Sequence, residues 1–180
     1  MPSWSRVAQR IRVPLGFVAA AAYLWLARPR WSSIAAGAAL AAGGIAIRAL
    51  ASGHVRKNQE LTTSGPYACT RNPLYLGSMI MAAGFALAAR SGWVVALALA
   101  LFFAIYLPVI RAEEAFLRSK FPEYAGYAAR VPRILPRLSA ISRAGSGFSL
   151  ELYLKHREYN SILGALALVV ALVAKLIWWG

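Results

Sequence analysis

Five mostly apolar stretches, at 11–27, 32–51, 73–89, 92–110 and 161–179, constrain this chain more than any motif does. A hydrocarbon core about 30 Å thick takes roughly 20 apolar residues per spanning helix. Lipid offers no partner to backbone N–H and C=O groups, so each stretch must satisfy its own, which a helix does. Hydrophobic residues are 59% of the chain and charged ones 14%, too apolar for a soluble domain. No strand pattern and no repeat is visible. The reading is therefore all-α: a single membrane domain over 1–180 with about five transmembrane helices. The segment 111–160, of a different character, is expected to be a cytoplasmic helical and interfacial region before the last span.

The first stretch follows Arg6, Arg10 and Arg12, as a signal peptide would. It is longer than a usual signal core and runs straight into Arg28 and Arg30, so a retained helix is expected. A net charge of +14 in a soluble protein would point to nucleic acid. Here its distribution assigns it to the membrane instead. If the amino terminus, the 52–72 loop and the 111–160 segment share a side, that side, with Arg48 just inside its helix end, holds sixteen of the twenty Lys and Arg. The other keeps Arg28, Arg30, Arg90 and Lys175. The asymmetry predicts an inside amino terminus, an outside carboxyl terminus and chemistry facing the cytoplasm. All six carboxylates, Glu60, Glu113, Glu114, Glu123, Glu151 and Glu158, fall on the inner side. The Ala/Gly-rich composition points to a bacterial plasma membrane.

The single cysteine, Cys69, can form no internal disulfide and reads as a packing residue. No His/Cys cluster offers a metal site. His54 and His156 stand alone in basic surroundings and are expected in loop or interfacial roles. Gly145 and Gly147 make no phosphate loop, since no strand precedes them, which excludes a dinucleotide-type fold. The six Trp sit mostly at expected helix ends, as an aromatic belt requires.

Gly and Ala in the second stretch suit close helix packing. The segment "RNPLYLG", Arg71 to Gly77, then opens the third. Asn72 is a good N-cap and Pro73 fits the first helical position, where its missing N–H is not needed. After the fourth stretch, "RAEEAFLRSKFPEYAGYAARVPRILPRL" places Glu113, Phe116 and Leu117 at helical spacing, with Arg111 and Glu114 on one face. Pro122 breaks or restarts that helix. The Ser/Gly-rich stretch 139–149 reads as a flexible connection, and "ELYLKHREYN" as an interfacial amphipathic helix. Buried titratable groups near a membrane are costly and mark function by default. The cluster worth weighing is Arg71, Tyr75, Arg111, Glu113, Glu114, Tyr124 and Tyr127. Singly, these residues read as helix-end anchors. Together they carry more, because two adjacent carboxylates in so acid-poor a chain serve no need of solubility.

The linked motifs "TSGPYACTRNPLYLG", "RAEEAFL" and "FPEYAGYAARVPRILP" are similar, in order and spacing, to the isoprenylcysteine carboxyl methyltransferase and phospholipid methyltransferase superfamily of integral membrane enzymes. The resemblance covers roughly 60–136. Asn72 stands where many members carry histidine, and the fifth span lies beyond the matched part. The resemblance implies S-adenosylmethionine (SAM) as methyl donor, leaving as S-adenosylhomocysteine. It implies a pocket of Tyr67, Arg71, Asn72, Pro73, Tyr75, Leu76, Glu113, Glu114, Tyr124 and Tyr127. In that reading Arg71 and a helix amino terminus meet the SAM carboxylate, while Glu113 or Glu114 takes its ammonium or ribose hydroxyls. Tyr67, Tyr75 and Tyr124 would face adenine or sulfonium. Arg111 and Glu114 are the implied catalytic pair, toward a lipid-like or small apolar acceptor entering from the membrane. A phosphatidylethanolamine-type N-methyltransferase, an NADPH-dependent reductase of similar architecture and a non-enzymatic lipid-binding scaffold are the alternatives. No nucleic acid and no metal is implied, and the oligomeric state is left open.

Overall fold

The computed structural model describes residues 4–56, 59–137 and 147–179; for 4–6 and 8–14 it describes the backbone alone. Its long helices are α1 (Trp4–Leu26), α2 (Trp31–Ser52), α4 (Pro73–Ala89), α5 (Gly92–Leu101), α6 (Leu107–Lys120) and α9 (Tyr159–Trp179). Short helices α3 (Pro66–Cys69), α7 (Tyr124–Arg130) and α8 (Leu150–Lys155) lie between them. Among the described residues there is no strand.

Three helices are long and apolar enough to cross a bilayer: α2, the 29-residue run Gly92–Lys120, and α9. Leu15–Leu26 and Pro73–Ala89 are shorter apolar helices. This is a helical membrane bundle, and its elements fall on the five stretches read from sequence. The third stretch is matched residue for residue. At 1.5 Å per residue, the 17 residues of α4 reach only about 25 Å. One boundary differs from expectation. The helix of the fourth stretch does not end at Ile110 but continues through a π-helical turn, Phe102–Tyr106, into α6 and stops at Lys120. Arg111, Glu113 and Glu114 therefore ride on the continuation of a membrane helix rather than starting a separate segment. Pro122 ends that helix as expected, and α7 restarts at Tyr124. The Ser/Gly-rich connection up to residue 146, Gly145 included, and the charged residues Arg6, Arg10 and Arg12 lie outside what is described at side-chain level.

The chain divides into two compact units. The first comprises 1–41, 82–115 and 165–180, and the second 42–81 and 116–164. In the first unit the core is Tyr23, Ala27, Ile34, Ala88, Ala89, Val94 and Leu172. The Tyr23 hydroxyl donates to Phe85 O at 3.0 Å, and the two rings meet edge to face. Arg28 N–H donates to Ala89 O at 2.8 Å, tying the α1–α2 turn to the end of α4. Gly37 and Gly84 set the α2–α4 approach there. A Cβ on Gly37 would stand 2.4 Å from Gly84 O, and one on Gly84 would stand 2.6 Å from Gly37 O. Only residues without a side chain let two backbones come so near, and in lipid such contact replaces the missing hydrophobic drive between helices.

Gly84→Leu should lower the stability of the detergent-purified protein by about 1–3 kcal/mol, because no flexible side chain is there to yield. Gly43→Ala, whose added Cβ meets nothing within 4 Å, is the matched control. Equal melting curves for the two variants would show that the approach is not tight.

Candidate functional site

In the second unit, Gly65 begins the site. Its φ of 58° is in the left-handed region that side chains disfavour, and a Cβ there would meet the His54 ring at 2.4 Å. Pro66 then starts α3, where a missing N–H costs nothing. This one-turn helix aims Tyr67 inward, and the Tyr67 carbonyl accepts the Tyr127 hydroxyl at 2.8 Å.

Beyond α3 the chain is not helical until Pro73, so its polar groups need partners elsewhere. They find them on the segment after α7. Arg71 N–H donates to Pro132 O at 2.9 Å, and Arg137 N–H donates to Cys69 O at 2.8 Å. The Thr70 hydroxyl and the Asn72 side-chain amide both donate to Arg133 O, at 3.1 and 3.0 Å. The Val131-Pro132 and Leu135-Pro136 pairs keep that segment extended, with its carbonyls exposed for this use. The Asn72 carbonyl accepts the first bond of α4, from Leu76 N–H at 3.0 Å, as an N-cap residue should. Its side-chain amide has the further task of holding the loop.

Arg71 is half-buried, and its Nη1 lies 3.5 Å from the Tyr124 hydroxyl. Tyr124 is 1% exposed and meets Tyr127 edge to face at 6.0 Å between ring centres. Phe121, Tyr124 and Tyr127 form a small core that also takes up Leu61, Leu117 and Val131. Tyr67, Arg71, Asn72, Pro73, Tyr124 and Tyr127 are thus brought together, with Tyr75 and Leu76 half-buried on the first turns of α4. In the first unit, Glu114 is 7% exposed, whereas Arg111 and Glu113 are exposed. Arg111 and Glu114, expected on one helix face, therefore sit in different surroundings.

One polar cluster escaped the sequence reading. Arg48 Nε bonds Glu158 Oε1 at 2.6 Å, and its Nη1 reaches Leu74 O at 3.2 Å and the Ser78 hydroxyl. The Ser161 hydroxyl donates to the same carboxylate oxygen at 2.6 Å. Gly77, the last residue of the "RNPLYLG" motif, makes room for it, since a Cβ there would stand 2.6 Å from Arg48 Cγ. The available signal was an arginine deep in a Gly/Ala-rich apolar helix, which the cost of burying charge makes conspicuous. His156 has its Nδ1 3.1 Å from Ser52 O, and His54 packs beside Gly65, so both histidines serve the framework.

The family model described as "Phospholipid methyltransferase" matches residues 32–124, about half of the chain. The chain belongs to the phospholipid methyltransferase family. The match takes in α2, α3, α4, the α5–α6 run and the first residue of α7, and so nearly every residue of the site. Two curated relatives are similar over 85 residues, 47% of this chain and 39% of each relative. One is the cobalt-zinc-cadmium resistance protein CzcN of Cupriavidus metallidurans, 49% identical. The other is the nickel-cobalt-cadmium resistance protein NccN of Alcaligenes xylosoxydans xylosoxydans, 44% identical. The similarity thus spans about two-fifths of the length of these relatives. No solved structure matches the chain. Family and helices together describe a multi-pass membrane protein of methyltransferase-like type.

Two outcomes test this geometry. Arg48→Leu leaves the Glu158 carboxylate buried without its cation and should cost about 3 kcal/mol. The double variant Arg48→Leu/Glu158→Leu should recover much of that loss, and additive losses in detergent unfolding would refute the pair. Burial pushes the Cys69 thiol pKa up, which keeps the thiolate scarce at neutral pH. Iodoacetamide should therefore label Cys69 more slowly in the folded protein than after unfolding in SDS. The rate should rise with pH past the ordinary thiol range, and equal rates in the two states would contradict the burial.

Proposed function

We propose that the chain is an integral membrane methyltransferase that uses SAM and transfers its methyl group to a lipid-like or small apolar acceptor. The observation that carries the reading is Arg71, half-buried against Tyr124 at the amino terminus of α4. A guanidinium beside a helix start is suited to a carboxylate ligand. Glu114, a buried carboxylate in a chain with only six acidic residues, supplies the opposite charge that an ammonium or a pair of ribose hydroxyls requires. Taken by type, an arginine at a helix start and a buried glutamate are the groups that the amino-acid end of SAM calls for.

When bound, SAM supplies an electrophilic methyl on a sulfonium. The chain's own residues hold, align and keep water away, which is most of what an in-line displacement needs. In this proposal Arg71 and the first N–H groups of α4 hold the carboxylate, with Glu113 and Glu114 on the ammonium and ribose side. Tyr75 is the half-buried tyrosine assigned to face the sulfonium or the adenine. The more buried Tyr67, Tyr124 and Tyr127, with Asn72, Pro73 and Leu76, shape the wall. Arg111 orients an acceptor carboxylate, or Glu114 relieves an amine acceptor of its proton. The proposal keeps the chain as a single membrane domain, with its amino terminus and the 111–160 segment cytoplasmic, in a bacterial plasma membrane.

A second reading follows from CzcN and NccN, whose names connect those proteins with cobalt, zinc, nickel and cadmium resistance. In it, the chain acts in a metal-resistance setting, either by methylation or as a membrane scaffold.

SAM should raise the melting temperature of the purified protein, and labelled methyl should pass from SAM into a total lipid extract. Arg71→Ala and Glu114→Gln should weaken SAM binding by at least ten-fold, roughly 1.4 kcal/mol or more, with helical content unchanged. In cells whose metal tolerance depends on the chain, Glu114→Gln should abolish that tolerance if methylation is the task. Unchanged tolerance, with no SAM binding in the purified protein, would establish the scaffold reading and end the enzymatic one.

A further inference from the structure

The geometry points to a binding site for the phosphate headgroup of an anionic lipid, in the first unit and lined by none of the residues assigned to methyl transfer. The α1–α2 turn, the end of α4 and the last turns of α9 enclose a cavity of about 510 Å³ there, within the range of small-molecule sites. Arg28, Arg30, Arg90 and Lys175 line it, flanked by Trp25 and Trp179. These four are the cations that the positive-inside pattern leaves on the outer side. One cavity therefore gathers every exception to the charge rule.

Three features mark the cluster as a site rather than scattered interfacial anchors. First, no carboxylate among the described residues lines the cavity or pairs with any of the four cations. Four like charges around one hollow repel one another, and an anion between them removes that cost. Second, Lys175 is built into the wall. Its ammonium donates to Leu24 O, Trp25 O and Ala27 O at 2.6, 3.1 and 2.7 Å, so all three N–H donors go to the end of α1 and the residue after it. It contributes charge and shape, while the three guanidinium groups remain to grip phosphate oxygens in the planar fork suited to them. Third, Arg90 has a φ of 51°, at the helix end where glycine is the usual residue. The strain costs on the order of 1 kcal/mol, and it is spent on holding a guanidinium at the cavity.

The surroundings choose a lipid over a free ion. Trp25 and Trp179 are 82% and 79% exposed, and Ile177 and Trp178 beside them are exposed too. Such rings sit at the headgroup level of a bilayer, where a phosphate arrives with acyl chains attached.

The test uses the full chain in nanodiscs of phosphatidylcholine, with and without phosphatidylglycerol, and native mass spectrometry after gentle release. The wild type should retain phosphatidylglycerol in preference to phosphatidylcholine and melt at a higher temperature in its presence. Arg28→Gln/Arg30→Gln/Arg90→Gly should reduce that retention at least ten-fold. Arg90→Gly alone should do two opposite things: melt higher in pure phosphatidylcholine, by release of backbone strain, and gain less from phosphatidylglycerol. Equal retention of the anionic lipid by wild type and triple variant would overturn the site. So would full stabilisation by inorganic phosphate in pure phosphatidylcholine, which would replace the lipid by a free ion.

Discussion

The site rests on how the non-helical backbone between α3 and α4 finds its hydrogen bonds. A chain that leaves helical geometry beside a membrane must place its N–H and C=O groups on other parts of the protein. Here the partner is the segment after α7. Its Arg133 carbonyl takes both the Thr70 hydroxyl and the Asn72 amide, and its Pro132 carbonyl takes the Arg71 N–H. The Tyr127 hydroxyl adds a bond to the Tyr67 carbonyl. Remove that partner and Arg71, Asn72 and Pro73 lose their common frame. The Val-Pro stretch is thus a structural clamp, although it carries no reactive group of its own.

Charge is handled economically in a chain with so few carboxylates. Glu158 is committed to Arg48, and Glu114 is the other buried acid. At the far ends of α1, α4 and α9 no carboxylate lines the cavity among the described residues, so Lys175 turns to backbone carbonyls and the three arginines face a hollow. A helix carboxyl end carries partial negative charge, which is why an ammonium can serve there in place of a side-chain cap.

Sequence reading did well where one residue property decides the outcome. The apolar stretches found the helices because a long apolar segment must satisfy its backbone groups within itself. "NP" located the start of α4 because capping and proline geometry are local. At Arg111 and Glu114 the spacing gives one helix face and nothing of burial, which depends on what packs around the helix: the structure buries Glu114 and exposes Arg111. The helix of the fourth stretch runs on past Arg111 to Lys120, because a helix passes through a charged residue readily once it nears water.

The amino-acid sequence by itself determined the all-helical membrane class, the order of the long helices, and which titratable residues were worth watching. Those follow from local physics: hydropathy, helical periodicity and the chemistry of caps. Only the tertiary structure decided that the Val-Pro stretch clamps the loop before α4, that Arg48 pairs with Glu158 over a gap of 110 residues, and that four outlying cations share one cavity. These depend on contacts between distant parts of the chain, whose energies no short window of sequence contains.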